Sequence, residues 1–96
     1  MLSFLPEIKL LLENDFVKVV EVHVRPGEKL EMHTHPAYVA YTISPTKIRF
    51  TFPDGTMRET QTEKGKALFS EGVTHAIENI GSSEMVSVDV EIKKKL

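Results

Sequence analysis

Glycine and proline interrupt this chain at short intervals, and that punctuation limits what it can become. Pro26-Gly27, Pro53-Asp54-Gly55, Lys64-Gly65, Glu71-Gly72 and Gly81-Ser82-Ser83 each read as a turn. The runs between them are rich in Val, Ile, Thr, Phe and Tyr and alternate with a period near two. Such runs are too short for ordinary helices and carry the residues that suit a pleated, half-buried surface. The pattern predicts an all-β fold: a single antiparallel β-barrel or sandwich of about eight strands.

The strongest alternation lies over residues 17–25, where Val20, Val22 and Val24 take one face and Glu21, His23 and Arg25 the other. Pro26-Gly27 then suits a type II turn, with glycine at the position needing positive φ. Residues 30–35 follow, with Glu31, His33 and His35 expected on a common face. Residues 39–44 are apolar on both faces, as in a strand covered on both sides. Over 47–52, Ile48, Phe50 and Phe52 point inward, and Pro53-Asp54-Gly55 turns the chain into a polar edge strand at 57–62. Two more strands fall at 66–70 and 74–80, and Val86, Val88, Val90 and Ile92 align on one side of the last. Residues 7–14 read as one or two helical turns or equally as a strand. Phe50, Phe52 and Phe69 are expected in the core, with Met32 and Met57 as packing residues.

With 96 residues there is room for one domain, 1–96, and no internal linker is visible. Formal charge is -2, and the one basic run, Lys93-Lys94-Lys95, is explained by a solubilising tail. A nucleic-acid partner is therefore not expected, because such binding rests on clustered Lys and Arg. No apolar run approaches the ~20 residues of a membrane helix, and no basic residue precedes Lys9, so the expected setting is cytoplasmic. Cysteine is absent, which excludes disulfides, thiolate metal ligands and a cysteine nucleophile. Any transition-metal site must then use His, Asp or Glu.

Three histidines carry the functional signal. His33 and His35 are two apart on one expected strand, so both imidazoles leave the same face. His75 sits on a later strand, three residues after Gly72, and a third imidazole from there would complete a set of three nitrogens. Such a set leaves coordination positions open, as catalysis requires. Fe, Zn, Ni, Mn and Cu all stay open as the divalent metal. An isolated His-x-His pair on a strand is weak evidence by itself, since exposed strand histidines are common.

The surrounding residues resemble a known family. Gly27-Glu-Lys-Leu-Glu-Met-His33-Thr-His35 resembles the first half of the first cupin motif: glycine, five residues, His-x-His. Gly65 and then Gly72-Val-Thr-His75-Ala-Ile-Glu-Asn79 resemble the second motif. The resemblance implies a small single-domain cupin barrel (the conserved-barrel or jelly-roll type) with a metal held inside by His33, His35 and His75, and a homodimer. Two departures stand out. The first motif normally carries a glutamate ligand after three or four further residues, where this chain has Val39 and Ala40. The second motif normally has a proline before its second glycine; here Glu71 stands there and the segment is one residue shorter.

A three-histidine set without the glutamate carries no ligand charge. It is similar to cupins that use Fe(II) and dioxygen on small organic molecules, which makes a metal-dependent dioxygenase the first expectation. A non-catalytic module that binds or senses a small molecule is the second, and an isomerase using His75 as a base the third. Tyr38 and Tyr41 are expected to orient a substrate, although a tyrosine in such a strand more often packs. Glu31 is a possible substitute ligand, with the cavity mouth as its commoner place. His23 and Glu71 are expected to be solvated, and Asn79 to make a turn or outer-shell hydrogen bond rather than to ligate.

Overall fold

The structure is a computed structural model and describes residues 6–93. Nine strands are present among the described residues: β1 (Glu7–Glu13), β2 (Val17–Val24), β3 (Lys29–His35), β4 (Tyr38–Ser44), β5 (Lys47–Thr51), β6 (Met57–Gln61), β7 (Ala67–Ser70), β8 (Val73–Asn79) and β9 (Met85–Ile92). The count exceeds the expected eight because the ambiguous segment at 7–14 is a strand. Its leucines pair along β2, with a bulge between Leu10 and Leu12. No helix occurs among the described residues, and none is therefore long and apolar enough to cross a membrane.

The strands form two antiparallel sheets, ordered β1-β2-β9-β4-β7 and β3-β8-β5-β6. As expected, β6 is a polar edge strand. Two turns also follow the sequence. Glu28 N–H donates to the Arg25 carbonyl at 3.0 Å across Pro26-Gly27, with Gly27 at φ 85°. Gly55 N–H donates to Phe52 O at 2.9 Å in the β5–β6 hairpin.

Opposed residues in a ladder share a face. On β9, Met85, Ser87, Asp89 and Glu91 face the opposite sheet, paired with Val24, Val22, Val20 and Lys18 of β2. The aligned Val86, Val88, Val90 and Ile92 lie on the outer face with Val39 and Tyr41 of β4. That placement corrects the view of β4 as covered on both sides. Tyr41 and Ile43 are exposed. Phe69 is also not core: β7 is a sheet edge, and the residue is 61% exposed. Met32 and Met57 likewise lie on the surface. Of the C-terminal lysines only Lys93 falls among the described residues, and its ammonium donates to Glu13 and to the Asn14 carbonyl, both at 3.0 Å.

The interior divides along its length. Val20, Val22, Val24, Ile48 and Met85 pack as the core, with Leu30, Phe50 and Ile77 against them. Asn79, 1% exposed, closes the filled end. Its amide donates to the carbonyls of Val24 and Ser83 at 2.8 Å each, while its oxygen accepts from Gly81 N–H at 2.9 Å and Thr46 Oγ1 at 3.2 Å. Every hydrogen-bonding site of that buried amide is thereby used. Toward the histidines the sheets leave a cavity of about 910 Å³, whose floor is the inner side of this core at Val20, Val22, Ile48 and Met85.

Candidate metal centre

Strands β3 and β8 build the centre. Their register places His33 directly opposite His75, and His35 opposite Val73. Between the Leu30–Ile77 and His33–His75 pairs, two residues of β3 oppose one of β8. This bulge lets Leu30 and His33 both face inward although they are three apart. The same bulge breaks the period-two alternation that placed Glu31 beside the histidines. Its side chain is exposed at the cavity and stands outside the three-histidine group, while its backbone carbonyl lies 2.6 Å from His33 Nδ1.

Gly72, at φ 131°, brings β8 close to the β3–β4 link. A Cβ there would sit 3.3 Å from the His35 carbonyl oxygen. The close approach of the two strands draws three imidazoles together. One ring nitrogen from each of His33, His35 and His75 lies within 4.8 Å of the others, and the rings contact edge to face. His75 is 3% exposed and stacks on Phe50 with ring centroids 5.0 Å apart.

The hydrogen bonds decide which nitrogens are free. His33 Nδ1 donates to the Glu31 carbonyl, and His35 Nδ1 donates to Glu91 Oε2 at 2.8 Å. With both Nδ1 atoms engaged as donors, Nε2 is the nitrogen each ring has left for a ligand, and the two Nε2 atoms face each other 2.9 Å apart. Two lone pairs at that distance repel unless a proton or cation lies between them. Ligand nitrogens about 2.1 Å from one ion and at right angles stand about 3.0 Å apart, so the spacing suits a shared metal. His75 Nε2 is buried with no hydrogen-bond partner. Burial, and then the neighbouring His33 and His35, push its pKa down to about 4, so it presents a neutral nitrogen. The donor set fits a divalent transition metal.

Tyr38 and Tyr41 part company. Tyr38 is buried in the cavity wall, its ring centroid 4.6 Å from that of His35. Burial raises its pKa first, and the charges of Asp89 and Glu91 add to this, so the phenol keeps its proton. Tyr41, three residues further along the strand, lies on the outer face of the sheet and does not line the cavity. The expectation that it orients a substrate is withdrawn on that geometry. His23 is also on the outer face, 3.3 Å from Glu21 and 3.7 Å from Glu84. Sequence reasoning missed Glu91 and Asp89. Their signal was present: Ser87, Asp89 and Glu91 alternate with valines along one strand, which leaves polar groups for the interior.

No protein-family model matches the chain, and no curated protein matches it in sequence. Solved structures do. A cupin domain from Bordetella pertussis Tohama I is 28% identical, covers 93% of this chain and 94% of its own, and superposes with a TM-score of 0.85. An uncharacterized conserved protein with a double-stranded β-helix domain from Klebsiella pneumoniae is 23% identical over 92% of this chain and 76% of its own, with a TM-score of 0.75. An RmlC-like cupin family protein from Methanocaldococcus jannaschii is 16% identical over 94% and 82%, with a TM-score of 0.73. The two sheets and the strand order, together with these likenesses, give the chain the double-stranded β-helix fold of small single-domain cupins.

Proposed function

We propose that this chain is a metal-dependent oxygenase of a small organic molecule, with His33, His35 and His75 as the metal ligands. The observation that carries the reading is the set of three imidazoles converging with a ring nitrogen each within 4.8 Å of the others, and no carboxylate in the ligand group. When bound, an Fe(II)-type ion supplies redox chemistry with dioxygen and open coordination positions. The chain does the rest. Glu91 fixes the tautomer and orientation of His35. Tyr38 offers a phenol proton toward the cavity, and Ile48, Phe50 and Phe52 keep its walls apolar. A metal-free isomerase with His75 as base fits less well, because an imidazole held near pKa 4 is a weak base at neutral pH.

The test is oxygen uptake by protein reconstituted anaerobically with Fe(II), run against a panel of neutral small organic substrates. Uptake that needs both iron and one panel member supports the oxygenase. Stoichiometric metal with no turnover on any member, with iron or another divalent metal, favours the binding module instead.

Glu91 gives a second, independent measurement. Glu91→Gln is expected to weaken metal affinity by about 10–100-fold, as loss of an outer partner of a metal-bound histidine does elsewhere. Competition against a chromogenic chelator measures this, and an unchanged affinity would show that Glu91 does not act through His35.

We also propose a homodimer through the outer face of the five-stranded sheet. Its central strands present Val39, Tyr41, Ile43, Val88 and Val90 there, with no charged side chain among the outward positions of β4 and β9. Five strands about 4.8 Å apart and seven residues of about 3.4 Å project to roughly 570 Å². That approaches the ~800 Å² per partner of a standard interface. Light scattering should report the mass of two chains, and Tyr41→Asp should shift it to one. A native chain that is monomeric at micromolar concentration overturns the dimer.

A further inference from the structure

The wall facing the imidazoles contains a carboxyl that the proposed metal chemistry does not use. Asp89 is 8% exposed, on the inner face of β9, and lines the cavity. Its ladder neighbours are Val20 on β2 and Ala40 on β4, and neither side chain can hydrogen-bond it. Its one protein partner is Ser87 Oγ, which donates to Oδ1 at 3.2 Å. Among the described residues no Lys, Arg or His lies within ion-pair distance of it. A largely buried carboxyl with a single neutral partner is costly, and its second oxygen is not sealed in the protein but open to the cavity, where a ligand can reach it. The small methyl of Ala40 beside it leaves room for one. Burial raises the Asp89 pKa.

We propose that Asp89 is the substrate-binding carboxyl of the cavity, and that it takes the hydroxyl group of a small, uncharged, otherwise apolar molecule. The chemistry narrows by elimination. An anionic ligand is opposed by Asp89 and Glu91 on the same wall. A cationic ligand is opposed by a metal ion at the three histidines. A neutral hydroxyl satisfies the free carboxyl oxygen, while Val20, Val22, Ile48, Phe50 and Met85 accept a hydrocarbon or ring body. The inference rests on the cavity being the working site, as proposed above, but not on which metal is held or on turnover.

The probes are 2-naphthol and 2-methoxynaphthalene, which differ in the hydroxyl proton and are both uncharged at neutral pH. They are titrated by calorimetry into the full chain stripped of metal. A hydrogen bond to a carboxylate is expected to make the naphthol bind about tenfold more tightly than its ether. In Asp89→Val that preference should fall to within about twofold, and in Asp89→Asn to a few-fold, since a neutral acceptor bonds roughly half as strongly. Should Asp89→Val fail to fold, Asp89→Asn decides alone. Equal affinities in the native chain, no binding of either probe, or a preference unchanged in the variants overturns the proposal. Metal content is measured in parallel. A preference dependent on Asp89 in a chain that takes up no metal would sustain Asp89 and sink the oxygenase. Stoichiometric metal without the preference would do the reverse.

Discussion

Chains carrying His33→Ala or His75→Ala are expected to lose the metal that the native chain takes up at about one ion per chain. The loss should exceed the roughly 10–100-fold that an outer partner such as Glu91 costs, because a ligating nitrogen itself disappears. Three neutral nitrogens hold an ion without help from ligand charge, so two cannot compensate for the third. The two variants should differ in stability. His33 is partly exposed at the cavity, whereas His75 is buried and stacked on Phe50, so its truncation also opens a hole. Elemental analysis of untagged protein, after stripping and reloading, makes the comparison. If the native chain and the His33→Ala/His75→Ala double variant retain the same trace of metal, the centre has been assigned to the wrong residues.

The second large effect lies at the opposite end of the sandwich and concerns stability. Asn79→Ala should destabilise the fold by about 3–5 kcal/mol, since it strands several buried polar groups at once. The Val24 carbonyl, the Gly81 N–H and the Thr46 hydroxyl lose a partner in one step. At 4–8 °C per kcal/mol for a domain of this size, the melting midpoint should fall by roughly 15–30 °C. Gly81 reinforces the point from the other side: a Cβ on it would overlap Thr46 Oγ1, so this turn is built tightly around the amide. Calorimetry of Asn79→Ala beside the native chain is decisive, and a fall of only a few degrees would mean the amide can be replaced by water.

The sequence was most informative where period-two alternation was uninterrupted. The valines of β2, the inward Ile48 and Phe50, the polar edge at β6 and the turn at Pro26-Gly27 were all legible, because each depends on neighbours within a few residues. The histidines were legible as candidates through their spacing, and the fold brings all three together. What escaped depended on partners far along the chain. The bulge in β3 that moved Glu31 out of line arises from pairing with β8, some 45 residues away. Which side of β4 and β9 faced inward was likewise set by the sheet, and that choice took Tyr41 out of the cavity and put Asp89 and Glu91 into it. Phe69 was misjudged because its burial depends on β7 being a sheet edge, and strand order is invisible to local pattern.

The lengthwise division of the interior has a consequence for how such a chain can change. On β9 the inner positions run from Met85 in the packed core, through Ser87 and Asp89, to Glu91 at the metal centre. One strand thus spans the passage from residues that hold the fold to residues that choose a ligand. Positions 40, 42, 87 and 89 line the cavity, and the Asn79 cap does not. Drift or deliberate randomisation there can explore new ligands while the packed half keeps the barrel intact. In so short a chain, that separation makes a change of specificity tolerable.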